Sequence, residues 1–544
     1  MAQFPLIDQA SLAMIPGAYK ESKVYSQLPT DGSGDFTFTR ATSATRVNEE
    51  GYIEKGYENT LLGSNDWARD DSSYTITGGE AGYDGTNDAW LVNKLAAAYF
   101  NKDGLVLAGV MTVSFFAKAG SLDRIFVFIG GDAARFDLTN GEAFSAGGAT
   151  VSQNIELVSG TTDWYRCSII INKTGTHNFL IKPQNSSNQD VTGTIYIQDG
   201  MLNQGLVAYP YLETTAAPVY GGLQAEQPRL DYKDASCPSV LIEPSRTNFS
   251  PHSEYYGTLT TYGSRLSYEQ NVAISPENVR NSFKAKVNTG ELSGSGAFSG
   301  FNSSFSKGDI ITISVFLKAD EFDEAEIGGF FGSENAKFNL NDGSVISQGT
   351  NAINAYSIPF SNNWYRCVVT YTFQDSINNR LLYSGIRVYA VSNGTSLLGD
   401  GVKGVLVYGG QIELGSFPTS YTPTYGSTQT RAAETLSNAF SAASTGTISL
   451  SLGKLPQPYL TVLGESFEAG TTKNNIAIAY SPTALKISLN GSIVVDATGT
   501  YDTSSLSSLQ LGHDNGSDQG DNPIKDLIMF NAFLTDTELN ALTV

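Results

Sequence analysis

Tandem antiparallel β-sandwiches of jelly-roll type are the fold that three observations predict for this chain. Charged residues make up 16% of it while glycine occurs 55 times among 544 residues, a turn-rich balance that favours strands over helical bundles. Short apolar runs are punctuated by Asn-Gly and Asp-Gly pairs, which supply the positive φ angles of tight hairpins. Finally, Asp163-Trp164-Tyr165-Arg166-Cys167 returns as Asn363-Trp364-Tyr365-Arg366-Cys367, an offset of 200 between Trp164 and Trp364 that marks a duplicated module. A single core rarely grows past about 250–300 residues, so an all-β chain of this length is expected to hold three sandwiches and an N-terminal attachment segment.

Residues 1–57 carry the Gly-rich turn Asp31-Gly32-Ser33-Gly34 and the alternation Phe36-Thr37-Phe38-Thr39, with too few apolar residues for a core of their own. They are expected to pack on something else. The first sandwich spans 58–216. Its strand Val113–Ala119 is followed by Arg135-Phe136-Asp137-Leu138, the turn Thr139-Asn140-Gly141 and Glu142-Ala143-Phe144. The second sandwich, 248–428, repeats the order with Ile313–Ala319 and with Lys337-Phe338-Asn339-Leu340 turning at Asn341-Asp342-Gly343. After each Trp, the series Tyr165, Cys167, Ile169, Ile171 and its counterpart Tyr365, Cys367, Val369, Tyr371 are the more apolar, so they should face the core. Residues 217–247, with four prolines from Pro218 to Pro244, read as an extended connector. Residues 429–544 read as a third sandwich, with a hairpin at Asn490-Gly491 and a closing helix signalled by the capping-box spacing of Thr535 and Glu538.

Lys+Arg at 33 against Asp+Glu at 54 gives a net charge of −21, which argues against nucleic acid and anionic membrane as partners. Three cysteines, two at equivalent positions of the repeats, do not make a disulfide framework. The first 20 residues lack the basic and apolar regions of a signal peptide, and no run of 18 apolar residues occurs, so neither export by that route nor membrane insertion is expected.

No motif for a zinc site, nucleophile elbow, redox pair or phosphate loop is found around the three histidines, the serines or the glycines. No cofactor, metal or catalytic residue is therefore assigned, and the chain is expected not to be an enzyme. Paired carboxylates carry no local signature, which keeps a glycan depolymerase as an alternative. The acidic run Asp320–Glu326 reads as a solvated hairpin, because its counterpart Gly120–Arg124 is far less acidic. The loop His513–Asp521 could offer oxygens to Ca²⁺ but lacks EF-hand spacing and reads as surface. Trp164 and Trp364 read as packing residues. Candidate ligand contacts are instead Trp67, Tyr83 and Trp90 before the first module's strand, and Tyr255 and Tyr256 in the corresponding part of the second; core packing is the competing reading for these five.

Phe38-Thr39-Arg40-Ala41-Thr42-Ser43-Ala44-Thr45-Arg46-Val47, Pro228–Tyr232, Cys237–Asn248 and the module end Gly410–Tyr421 resemble segments of virion fibre and spike proteins of tailed bacteriophages. The resemblance implies jelly rolls similar to carbohydrate-binding modules and a concanavalin/laminin-G-like C-terminal sandwich. It also implies a homotrimer on the exterior of a virion assembled in the host cytoplasm. The N-terminal segment would dock on other virion proteins and the sandwiches would bind host-surface glycan. A purely structural decoration or connector is the alternative. In such proteins the T-R-A-T segment runs on directly into the P-R-L-D-Y segment, so residues 58–216 are expected to be an insertion, with 36–56 and 226–246 packed together as a split platform.

Overall fold

The computed structural model describes residues 6–69, 72–233, 237–256, 261–262, 265–302, 305–329, 333–374, 381–438, 443–452, 459–463, 465–468, 474–503, 509–511 and 522–544. Nearly all regular structure is antiparallel sheet, and the helix Asp536–Thr543 closes the chain. Thr535 caps that helix, its side chain accepting from the Glu538 amide while the Glu538 carboxylate accepts from the Thr535 amide. Leu539 of the helix and Leu534 just before it are buried in one cluster.

In the first sandwich two long strands, Phe100–Ala119 and Trp164–Gln184, pair from Phe100↔Ile181 to Lys118↔Trp164 and pass through both layers. One end of this ribbon is flanked by Arg124–Ile129, Asp132–Asp137 and Glu142–Gly147, the other by Gly193–Gln204, Ala89–Lys94 and Tyr74–Glu80. Between the layers lie Val113, Phe115, Cys167 and Ile169 against Val127, Phe136 and Ile181. Gly109 and Gly175 sit in the middle of the ribbon with φ of 92° and 93°, a backbone that L side chains resist, where the strands bend from one layer into the other.

The second sandwich divides into two separate six-stranded sheets. Its registers repeat the first: Phe116↔Arg166 corresponds to Phe316↔Arg366, and Ile125↔Phe136 to Ala325↔Phe338. The hairpin turns are formed at the expected places. At Asn140-Gly141, however, only Gly141 takes positive φ, because Asp137 fixes the turn by accepting from the amides of Thr139 and Asn140.

The sheet pairing departs from the division drawn at residues 57, 217 and 429. Leu12–Met14 and Ser239–Ile242 both pair with Asn522–Phe530, and Phe36–Thr39 pairs with Thr435–Asn438. The N-terminal residues, the connector and the C-terminal residues are thus strands of one composite sandwich, with Leu12, Met14, Phe36, Phe38, Val240, Leu436 and Leu527 in its core. Alone, 429–544 would keep Asn522–Phe530 paired with Gly446–Leu452 on one edge but expose the other, and would lack most of the apolar filling of this core, which is why the apolar-poor first segment belongs here. Residues 36–56 and 226–246 also bond directly: the Val47 amide donates to Asp231, the Tyr232 amide to the Val47 carbonyl and the Glu226 amide to the Arg40 carbonyl. The first sandwich leaves and rejoins this body through Tyr57–Asn59 and Val219–Gly221, which pair with each other.

Candidate functional site

The repeated Trp-Tyr-Arg-Cys motif divides its side chains by strand alternation. Cys167 and Cys367 are fully buried between the layers and free of disulfides. On the opposite face Arg366 donates to Ser314 Oγ at 2.9 Å and to the Thr419 carbonyl at 2.8 Å over the Phe316 ring, and Arg166 donates to the Tyr209 carbonyl at 2.6 Å over Phe116. The motif ties the Pro/Tyr exit of each module back onto its own sheet, a structural task.

The five candidate ligand contacts do not form one site. Trp67 (1% exposed) and Tyr256 (0%) are core residues, Trp67 edge-on to Phe100 and Phe179, and Tyr256 4.0 Å from the Phe283 ring centroid. That burial corrects their reading as ligand contacts. Tyr83 stacks on Phe116 at 3.8 Å and donates to Asp199, and Trp90 donates to the Asn65 carbonyl. Asn65 accepts in turn from the Asp199 amide, so Tyr83 and Trp90 buttress one corner of the first sandwich. Burial, with Asp84 and Asp88 nearby, pushes the Asp199 carboxyl up to about 6 despite its hydrogen bonds from Tyr83 and Tyr211. Tyr255 lies at the seam between the modules, beside His252 and packed on Val110, Ile170 and Tyr425. The acidic loop 513–521 lies outside the described residues. Among the described residues, no group of three or more His, Cys, Asp or Glu side chains is placed to hold a metal ion.

What the fold does bring together is a junction built from two buried ionic clusters. In the first, Arg40, Arg229 and Arg431 share Glu243 and Glu434: Arg40 reaches Glu434 at 2.8 Å, Arg229 reaches Glu243 at 2.8 Å and Glu434 at 2.7 Å, and Ser420 donates twice to Glu243. All five side chains are at most 1% exposed. Burial alone would raise the Glu243 carboxyl, but Arg431 and Arg229 outweigh it and hold it well below the carboxylate range. Arg40, Arg229 and Glu243 come from three of the four segments that resemble fibre proteins, and Ser420 comes from the fourth. Arg431 and Glu434 were missed, although Thr430-Arg431-Ala432 echoes Thr39-Arg40-Ala41.

In the second cluster, Lys55 lies 2.9 Å from Glu254 and 2.6 Å from Glu277, and donates to Tyr425. Tyr408, Tyr421 and Tyr425 each donate to Glu254, and Tyr209 of the first sandwich donates to Glu277 at 3.1 Å. Burial lowers the Lys55 pKa, yet the two carboxylates outweigh it and hold it well above the usual lysine value. A polar cleft of about 360 Å³ opens beside this cluster, lined by Lys55, Tyr57, Glu58, Gln204, Tyr209 and Arg431 among others. Glu254 and Glu277 do not line it. The Glu254–Glu277 pair is committed to Lys55 and the tyrosines, an arrangement that binds segments together.

No protein-family profile matches the chain, and no curated protein matches it. Among solved structures, the chain is similar to the N-terminal CBM22-1-CBM22-2 tandem domain of Paenibacillus barcinonensis Xyn10C, at 10% identity and a TM-score of 0.21, over 66% of this chain and 97% of that one. At that level the likeness carries nothing about what this chain binds.

Proposed function

We propose that the chain is a non-enzymatic structural component of a tailed-phage virion appendage, presenting its sandwiches to bind saccharide on the host surface. The observation that carries this reading is the convergence of the fibre-like segments: Arg40, Arg229 and Glu243 meet at the buried junction from which both jelly rolls extend. Residues of the motifs thus serve to hold modules in place, which is the task of an appendage. Because residues 12–39 are strands of the composite sandwich, docking on the particle falls to that sandwich and not to a free arm. A homotrimer is part of the proposal.

The test uses the full-length chain, since a fragment beginning at 248 would remove strands from the composite core. Immunolabelling of intact particles should place the chain on the exterior, light scattering should give a trimer, and a glycan array should give binding. Absence of binding across host polysaccharides would favour the purely structural reading, while release of reducing ends would point to a depolymerase.

A further inference from the structure

The two modules share a frame but differ on the outer face of one sheet. In the first, Phe144, Arg135, Phe126 and Lys182 are successive cross-strand neighbours, so all four point to the same side. The alternate residues Ile125, Val127, Phe136 and Ile181 fill the core. Tyr99 closes the row, its ring centroid 4.0 Å from Lys182 Nζ and 6.1 Å from the Phe126 ring. Arg135 lies 4.9 Å above Phe126, and Arg124 lies 6.0 Å from the Phe144 ring. The row therefore alternates ring, cation, ring, cation, ring across the sheet, with Phe144 43% and Tyr99 38% exposed.

The same row in the second module is closed on itself. Glu326 replaces Phe126, Ser347 replaces Phe144, and Ser295 stands beside Arg387. Arg387 pairs with Glu326 at 3.3 Å, Lys337 pairs with Glu324, and Tyr389 donates to Glu326. In the first module Lys182 pairs with Asp190 and Arg124 with Asp137, but Arg135 donates to Gln184 and has no carboxylate partner among the described residues. In a chain of net charge −21, one sheet face thus combines exposed rings with a cation that has no anion of its own.

We propose that this face of the first sandwich is a binding site for an acidic polysaccharide, the rings covering the C–H faces of pyranoses and Arg135 taking a uronate-type carboxylate. Phe144 and Phe126 lie two strands apart, about 9.5 Å, roughly the length of two linked sugars. An Arg fork matches a carboxylate bidentately, and an exposed ring gives contact area at small cost in order. This inference rests on the saccharide-binding reading above and adds the face and the charge class.

The experiment is calorimetric titration of the full-length chain with polygalacturonate and, as the neutral control, dextran, at low and high salt. Arg135→Gln and Phe144→Ala change exposed or half-exposed side chains, and circular dichroism checks that both variants fold; Lys337→Gln is the matched control in the second module. The expected result is polygalacturonate binding that salt weakens, a loss of at least tenfold in each of the two variants, and none in the control. Unchanged polygalacturonate binding in both variants overturns the site while leaving saccharide binding standing. Binding to dextran alone overturns the acidic class. Failure to bind polygalacturonate, with light scattering showing that Phe144→Ala alters the oligomer, makes the face a contact between copies and overturns the proposal. Failure on the glycan array as a whole removes the underlying reading instead.

Discussion

Trp164 and Trp364 are 3% and 0% exposed and are wedged between a strand and the exit of their own module, with Trp364 donating to the Ile274 carbonyl at 3.2 Å. Replacing either with alanine leaves a cavity beside Phe116 or Phe316 and is expected to lower stability by about 3–5 kcal/mol, read as a reduced denaturation midpoint. Period-two alternation was enough to assign the Tyr/Cys series to the core and the Trp/Arg series to the other face. Asp199 was not legible, because it sits on a bulge with φ of 45°, where the second module has Gly409, and a bulge re-aims a side chain without disturbing the pattern around it. Its carboxyl is raised from 3.8 to about 6 in the folded chain, so the folded state holds the extra proton between those values. The stability it contributes is present at low pH and is lost as pH rises through that window. Asp199→Asn should remove this fall, and equal changes in the urea midpoint of native and variant protein between about pH 4 and pH 7 would refute the assignment.

At the scale of elements, four short segments far apart in sequence carry the five charges of the Arg40–Arg229–Arg431–Glu243–Glu434 cluster. Glu434→Gln removes the carboxylate that Arg40 and Arg229 share and leaves buried guanidinium charge unbalanced. A loss of about 3–5 kcal/mol is expected. Thermal unfolding of the variant would show it, and a shift within the range of ordinary surface substitutions would mean that the cluster is not an energetic junction. Local elements were legible where local chemistry dictates them: Asn490 and Gly491, with φ of 49° and 85°, form the expected hairpin, and Thr535 caps the expected helix. The partnership of Thr435–Asn438 with Phe36–Thr39 was not legible. Both strands alternate, but nothing in either names a partner some 400 residues away, and only the need to cover an edge selects it.

For the whole molecule, the decisive geometry is at the point where the first sandwich leaves the composite body. Asn59 and Val219 face each other in an antiparallel pair, so the 159 residues between them (219 − 59 − 1) begin and end at one place. A two-residue Asn-Gly turn can span a directly opposed pair, and replacing residues 60–218 with it should leave the composite and second sandwiches folded. The shortened chain should melt at a lower temperature than the intact one. It loses the hydrogen bond from Tyr209 to Glu277 and the bond from the Val110 amide to the Tyr425 carbonyl, and water reaches the Lys55 cluster. The complementary fragment, 58–221, carries its own buried core and should fold alone. Cooperative melting of both pieces, with β-type circular dichroism in each, is the outcome that an inserted module requires. If the shortened chain aggregates while the fragment fails to fold, the first sandwich is not an insertion but part of one core, and the seam at Tyr425 is then as essential as the interior of either jelly roll.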